Sequence, residues 1–135
     1  AQEFAYRSSF YSAHPEYLIL GATLSLHHGE PCEIEERMKE YKRRRSASQP
    51  LEFPSAGSTF KRPTGNFAGT LIEMCGLKGF AIGGAEVSEK HAGFVINYDN
   101  ATATDILNLM DHIKREVYMR FGVELEPEVK IIGKE

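Results

Sequence analysis

Between positions 17 and 26 the chain reads YLILGATLSL, with Leu20, Ala22, Leu24 and Leu26 at every second place. That period predicts a strand, closed by His27-His28-Gly29. A helical period follows over 31–45. Pro31 suits a first turn, Ile34, Met38 and Tyr41 share a face, and acidic residues precede basic ones. The run SASQP at 46–50 is expected to end this helix and leave 46–58 as an extended or looping connection. A short helix is predicted over 68–75, stopped by Gly76, then strands near 80–82 and over 94–97. The strongest helical signal is 102–121. Thr102 and Asp105 resemble a capping box, Ile106, Met110, Ile113 and Val117 form a stripe, and Gly122 marks the stop. Finally Val123, Leu125, Val129 and Ile131 alternate with Glu124, Glu126, Glu128 and Lys130, a strand that Pro127 confines to an edge or a bulge. The class is α+β.

Composition narrows the field. With 135 residues, 41% hydrophobic and 26% charged, the chain suits one domain core and not a disordered or fibrous chain. No apolar run approaches the ~20 residues of a membrane span. Cys32 and Cys75 alone make neither a disulfide framework nor a zinc site, and a cytoplasmic setting is expected. The chain opens on Ala1 without methionine, so it reads as a fragment or a processed form. Eight of the 16 Lys and Arg lie between Arg37 and Arg62, giving that window an excess of six positive charges while the rest carries nine negative. Such a local patch on an acidic chain points to a specific anionic ligand. Nucleic acid is a poor partner, because no aromatic platform interleaves with the run Lys42 to Arg45.

Several common motifs are absent: a Gly-Lys-Ser/Thr phosphate loop, a Gly-x-Gly-x-x-Gly fingerprint, a Gly-x-Ser-x-Gly elbow and His-Glu-x-x-His. His27 and His28 would point to opposite faces of a strand and cannot chelate one ion, so no metal is expected. Eight of the 12 glycines fall between Gly57 and Gly93, a zone of tight turns or of backbone brought close to a ligand. Within SAGSTFKRP, starting at Ser55, small residues, a hydroxyl and two cations fit either a capped turn or an anion-facing site. Glu128 and Lys130 share a strand face roughly 6–7 Å apart. That pair suits either a solvated edge or the lining of an anionic substrate site.

The segments PSAGSTFKRP (54–63), GNFAGTLIEMCGLKG (65–79), IGGAEVSEKHAGFVIN (82–97) and FGVELEPEVKIIG (121–133) closely resemble the carboxy-terminal half of the UDP-N-acetylenolpyruvoylglucosamine reductase family. EFAYRSSFY (3–11) looks like that family's Tyr-Arg-x-Ser segment, so the resemblance runs nearly the whole length in the family's order. It implies a UDP-N-acetylmuramate dehydrogenase of peptidoglycan precursor synthesis, with FAD as cofactor and NADPH as reductant. The substrate implied is UDP-N-acetylglucosamine enolpyruvate, which takes a hydride on its double bond and a proton from a serine at the neighbouring carbon.

By the same resemblance Ser58 is the proton donor, Glu128 the catalytic glutamate, and Arg7 the group facing the enolpyruvyl carboxylate. Arg45, Ser46, Gln49, Arg62, His91 and Lys130 are implied on the substrate side. Lys130 stands where many relatives carry arginine, which keeps the charge but loses bidentate geometry. The fold implied is a mixed sheet packed with helices. Residues 1–29 are expected to be a remnant of a FAD-binding domain, 30–50 a helix and connection, and 51–135 the substrate-binding domain. The glycine-rich FAD cradle of the family has no counterpart here, so the FAD-binding region is an implied partner and the isolated chain is expected to be inactive. A binding module for UDP-sugars without redox chemistry is the competing reading, and it would need neither Ser58 nor Glu128.

Overall fold

The computed structural model describes residues 2–133. Two compact units are present, Ala1–Ile34 and Glu35–Glu135, and each is taken by itself. In the first, a single-turn helix α1 (Phe10–Ala13) begins where the Ser9 N–H donates to Ser12 Oγ at 3.1 Å. Its Phe10 ring stacks on His14 with centroids 4.2 Å apart and meets Tyr17 edge-on. The strand expected over 17–26 does not form. Leu20 is 91% exposed and Leu18, Leu24 and Leu26 are nearly as open. Alternation gives a strand its two faces, but pairing needs a neighbour for its N–H and C=O groups, and among the described residues none pairs with this segment.

Helix α2 (Pro31–Ser48) starts as expected and ends within the run SASQP, three residues later than the expected Arg45. Ser48 stays helical by donating its hydroxyl to the Arg44 carbonyl at 3.0 Å. No residue of α2 is buried. The second unit is built on a four-stranded sheet in the order β1-β4-β3-β2: β1 (Ser55–Ser58), β2 (Ala81–Ile82), β3 (Ala85–Val87) and β4 (Phe94–Asn97). Every neighbouring pair is antiparallel. The expected α+β class stands, but the sheet is not mixed. Gly83 and Gly84 alone separate β2 from β3, and residues 88–93 separate β3 from β4, connections too short for the crossover that parallel strands need. A Cβ on Gly84 would run into the Asp99 carbonyl, so the turn packs where only glycine fits.

Helix α4 (Ala103–Phe121) covers the sheet, and α3 (Ala68–Met74) packs against α4. At the start of α4, the Asp105 N–H donates to Thr102 Oγ1 at 3.1 Å while the Thr102 N–H donates to Asp105 Oδ2 at 2.9 Å. This reciprocal box, with Gly122 at φ 65°, bounds the helix where the sequence indicates. Leu109, Met110, Ile113 and Val117 bury its stripe against Ile72, Val87 and Leu125, each contributing about 1.5–3 kcal/mol. The strand expected over 123–131 is instead an irregular segment with one bridge, Phe60 to Pro127. Its alternation still operates: Leu125 is buried, and Val123 and Val129 pack on the core.

Candidate functional site

Ser58 is placed by an irregularity in β1. Ser55 pairs with Ile96 but Ser58 pairs with Phe94, so β1 spends one residue more than β4 over the same stretch. Gly57 supplies the left-handed backbone this bulge needs, at φ 87°. The next two residues diverge. Ser58 is exposed, whereas Thr59 is 3% exposed and fixed by three bonds. Its N–H donates to the Gly93 carbonyl at 2.9 Å, its hydroxyl accepts from the Val95 N–H at 3.0 Å, and its carbonyl accepts from the Glu128 N–H at 2.9 Å. Thr59 therefore anchors the strand end that presents Ser58, whose own Oγ donates to the Phe60 carbonyl at 3.4 Å.

Glu128 arrives beside this anchor on the irregular segment. The Lys61 N–H donates to the Glu126 carbonyl at 2.8 Å, so the bonds flanking the Phe60–Pro127 bridge are made by residues 59, 61, 126 and 128. Pro127 thus occupies the one position that asks for no N–H, and the segment pairs despite it. The Lys61 ammonium also pairs with the Glu126 carboxylate. Glu128 is half-buried next to the Ser58–Thr59 step.

A cleft of about 310 Å³ opens at Ser58. Ser58, Phe67, Thr70, Lys78, Lys90 and His91 line it, with backbone from Gly69 and Gly93. The structure therefore brings Ser58 and His91, both candidates from the sequence, to one cavity. The Arg62 guanidinium lies 3.9 Å from the ring centroid of Phe67, one of the lining residues. Sequence reasoning missed Phe67, Thr70, Lys78 and Lys90. The glycine-dense zone is the available signal, since a Cβ on Gly69 of α3 would stand 3.2 Å from the Gly93 nitrogen. Both lysines carry carboxylate partners: Lys78 pairs with Glu73 at 2.7 Å and Lys90 with Glu52 at 3.3 Å. The Glu52 carboxyl is held below its ordinary range, first by its own backbone N–H and, against some desolvation, by Lys90.

The other candidates lie elsewhere. Lys130 lines a separate, mainly apolar cavity of about 510 Å³ with Ser55, Thr59, Met110 and Val129. Arg45 and Ser46 sit exposed on the last turns of α2, and Arg45 donates to Gln49 Oε1 at 3.4 Å. The basic run there is a solvated helix face, partly neutralised in place, with Arg43 and Arg44 both bonded to Glu40 at 2.7–2.9 Å. Those hydrogen bonds hold the Glu40 carboxyl down at about 2. Arg7, in the first unit, has φ 55°, a backbone region uncommon outside glycine, and its guanidinium lies 5.8 Å from the Tyr6 ring centroid.

The FAD implied by the resemblance calls for a cradle of open backbone N–H groups at its diphosphate, usually a helix start. The described residues do not fit it: α2 carries Glu33 in its first turn, and the α4 start is closed by the Thr102–Asp105 box. No group of three or more metal-ligating side chains is found among the described residues, and no described helix is long and apolar enough to cross a membrane.

Comparison with known proteins converges on one family. The family model described as "UDP-N-acetylenolpyruvoylglucosamine reductase, C-terminal domain" matches residues 49–132. The reductase of that name from Caldanaerobacter subterraneus subsp. tengcongensis is 54% identical over 131 residues, covering 97% of this chain and 43% of the relative. The one from Clostridium beijerinckii is 59% identical over 119 residues, covering 88% and 39%. A crystal structure of UDP-N-acetylenolpyruvylglucosamine reductase from Thermus caldophilus superposes with a TM-score of 0.76 at 36% identity, covering 96% of this chain and 46% of that one. The chain thus spans less than half the length of these relatives. On this evidence the chain belongs to the UDP-N-acetylenolpyruvoylglucosamine reductase family and carries its C-terminal domain.

Proposed function

We propose that this chain is the substrate-binding part of a FAD-dependent, NADPH-using reductase. It would convert UDP-N-acetylglucosamine enolpyruvate to UDP-N-acetylmuramate for peptidoglycan precursors in the cytoplasm. The observation that carries this reading is the Gly57 bulge. It turns the Ser58 hydroxyl out to a cleft while burying Thr59 beside it. A hydroxyl set on a rigid, triple-bonded anchor suits a positioned proton donor.

The chemistry needs such a donor. Hydride addition at the methylene carbon moves the π electrons to the carbon beside the carboxylate, and that carbon then needs a proton. Serine is a weak acid, yet an enolate-like centre is basic enough to take its proton when geometry is fixed. Ser58 gives the proton and Glu128, at the adjacent step, assists. Arg7 holds the carboxylate with a fork of donors while charge develops. Arg62, His91 and Lys130 serve the UDP-sugar, as do Arg45, Ser46 and Gln49. A module that only binds UDP-sugars would have no use for a serine and a glutamate at the reacting carbon.

Calorimetry with UDP-N-acetylglucosamine enolpyruvate tests the reading. Binding heat is expected, with Arg62→Ala weakening affinity at least about tenfold, since a hydrogen bond from a charged group contributes ~1.5–3 kcal/mol. No heat at millimolar ligand would refute it.

A further inference from the structure

The loop between β3 and β4 holds His91 in a fixed frame. Ser88, almost fully buried, accepts from the Lys90 N–H at 3.2 Å and the His91 N–H at 3.3 Å, and its own N–H donates to the Phe94 carbonyl at 3.0 Å. The Phe94 N–H returns to the His91 carbonyl at 3.0 Å, closing the loop. The imidazole is then held by the edge-to-face Phe94 ring, 5.0 Å away, and by the Gly93 N–H, which donates to Nδ1 at 3.0 Å.

That last bond decides the proton's place. A backbone N–H can only donate, so Nδ1 accepts and the ring proton sits on Nε2. Among the described residues Nε2 makes no hydrogen bond, and no partly or fully covered side chain there has a buried polar atom without a partner. Nε2–H therefore reaches the surface, on a residue that lines the Ser58 cleft.

Gly69 and Gly93 make this arrangement possible. A Cβ at Gly69 would stand 3.2 Å from both His91 Cε1 and the Gly93 nitrogen, and a Cβ at Gly93 would stand 3.0 Å from Cε1. Neither is required by a left-handed turn, because neither has a positive φ. What they leave is the space for the ring.

We infer that Gly69 and Gly93 are positioning residues that lock His91 as its Nε2–H tautomer, making that wall of the cleft a hydrogen-bond donor to an acceptor oxygen of the UDP-sugar. The inference rests on the cleft being the substrate site proposed above. A donor fixed in one tautomer favours a carbonyl or phosphoryl oxygen and disfavours a ligand that offers a hydrogen there, because two facing donors leave both unpaired.

The test is ¹⁵N NMR of the histidine rings in the protein, free and titrated with UDP-N-acetylglucosamine enolpyruvate, alongside calorimetry. His91 is expected to show a protonated Nε2 and a bare Nδ1 before ligand is added, and its Nε2 resonance should move on binding. His91→Gln, whose amide nitrogen falls near Nε2, should keep affinity within about threefold, whereas His91→Asn, whose amide falls near Nδ1, should lose about tenfold or more. Gly69→Ala should mix the two tautomers in this chain and, in a reductase of full family length carrying this sequence, raise KM with little change in kcat. A protonated Nδ1 in the free protein would overturn the lock, whatever the ligand. Binding heat with an unmoved Nε2 resonance, or equal affinity in the Gln and Asn variants, would overturn the donor role. The absence of all binding heat would overturn the substrate-site reading and the donor role with it, while the free-state tautomer still judges the lock.

Discussion

The N–H of Glu128 donates to the carbonyl of Thr59 at 2.9 Å, joining residues 69 positions apart at the step that presents Ser58. Thr59 carries the load of this junction. Its hydroxyl also takes the Val95 N–H, which belongs to the central strand β4. Thr59→Val keeps the shape of the side chain and leaves that buried N–H without its partner. A loss of about 1–3 kcal/mol is expected in urea denaturation, and an unchanged midpoint would mean that another group accepts from Val95.

Gly57→Ala isolates the backbone of the bulge. Nothing lies within 4 Å of a Cβ at this site, so no clash confuses the result. The left-handed φ of 87° alone should cost about 1–2 kcal/mol. If the strain is relieved by reverting to regular pairing, Ser58 turns away from the cleft, and in a reductase of full family length carrying this sequence substrate reduction should fall more than stability does. Full stability together with full activity would show that the bulge tolerates a side chain and does not depend on glycine.

Thr102→Ala removes one half of the capping box at α4. The expected cost is about 1 kcal/mol, within the ~0.5–2 kcal/mol range for such caps. Asp105, held below its ordinary range first by the Thr102 backbone and then by the Thr102 hydroxyl, should move back toward it in the variant. Chemical denaturation and carboxyl titration by NMR check the two effects separately.

Glu40 gives α2 an acid-sensitive clamp. Its carboxyl is lowered from 4.5 to about 2 in the folded chain by Arg43 and Arg44. A depressed carboxylate stabilises above its unfolded value and stops doing so as pH falls through the folded one. The helical signal of α2 should therefore weaken between about pH 4.5 and 2, and Glu40→Gln should remove that phase from a circular dichroism titration. The effect should be small and salt-dependent, because the group is solvent-exposed.

The helical periods were legible because they carry their own boundaries. Thr102, Asp105 and Gly122 state both ends of α4, and its stripe states the buried face. The strands were harder. Residues 17–26 alternate cleanly yet pair with nothing described, since a period reports two faces and says nothing of a partner. Residues 123–131 alternate too, but only 126–128 pair, because regular bonding is confined to the positions flanking Pro127. The turn β2–β3 lies in glycine-rich chain, and its second strand, Ala85–Val87, is too short to show a period. Among the candidate site residues, Ser58 and His91 line one cleft and Arg62 stacks on its Phe67, while Lys130 lines another cavity. Lys78 and Lys90 escaped notice because a lysine between glycines, or beside a histidine, has no periodic signature.

In the proposed reaction Ser58 supplies the proton to the reduced enolpyruvyl group. That step is tested most directly by Ser58→Ala in a reductase of full family length carrying this sequence, comparing NADPH oxidation driven by the enolpyruvyl substrate with NADPH oxidation driven by ferricyanide. The substrate-driven rate should fall by roughly 10²–10⁴-fold, the usual contribution of a positioned general acid. The ferricyanide-driven rate should stay near wild type, because it does not involve protonation of carbon. A substrate-driven rate equal to wild type would show that Ser58 is not the proton donor.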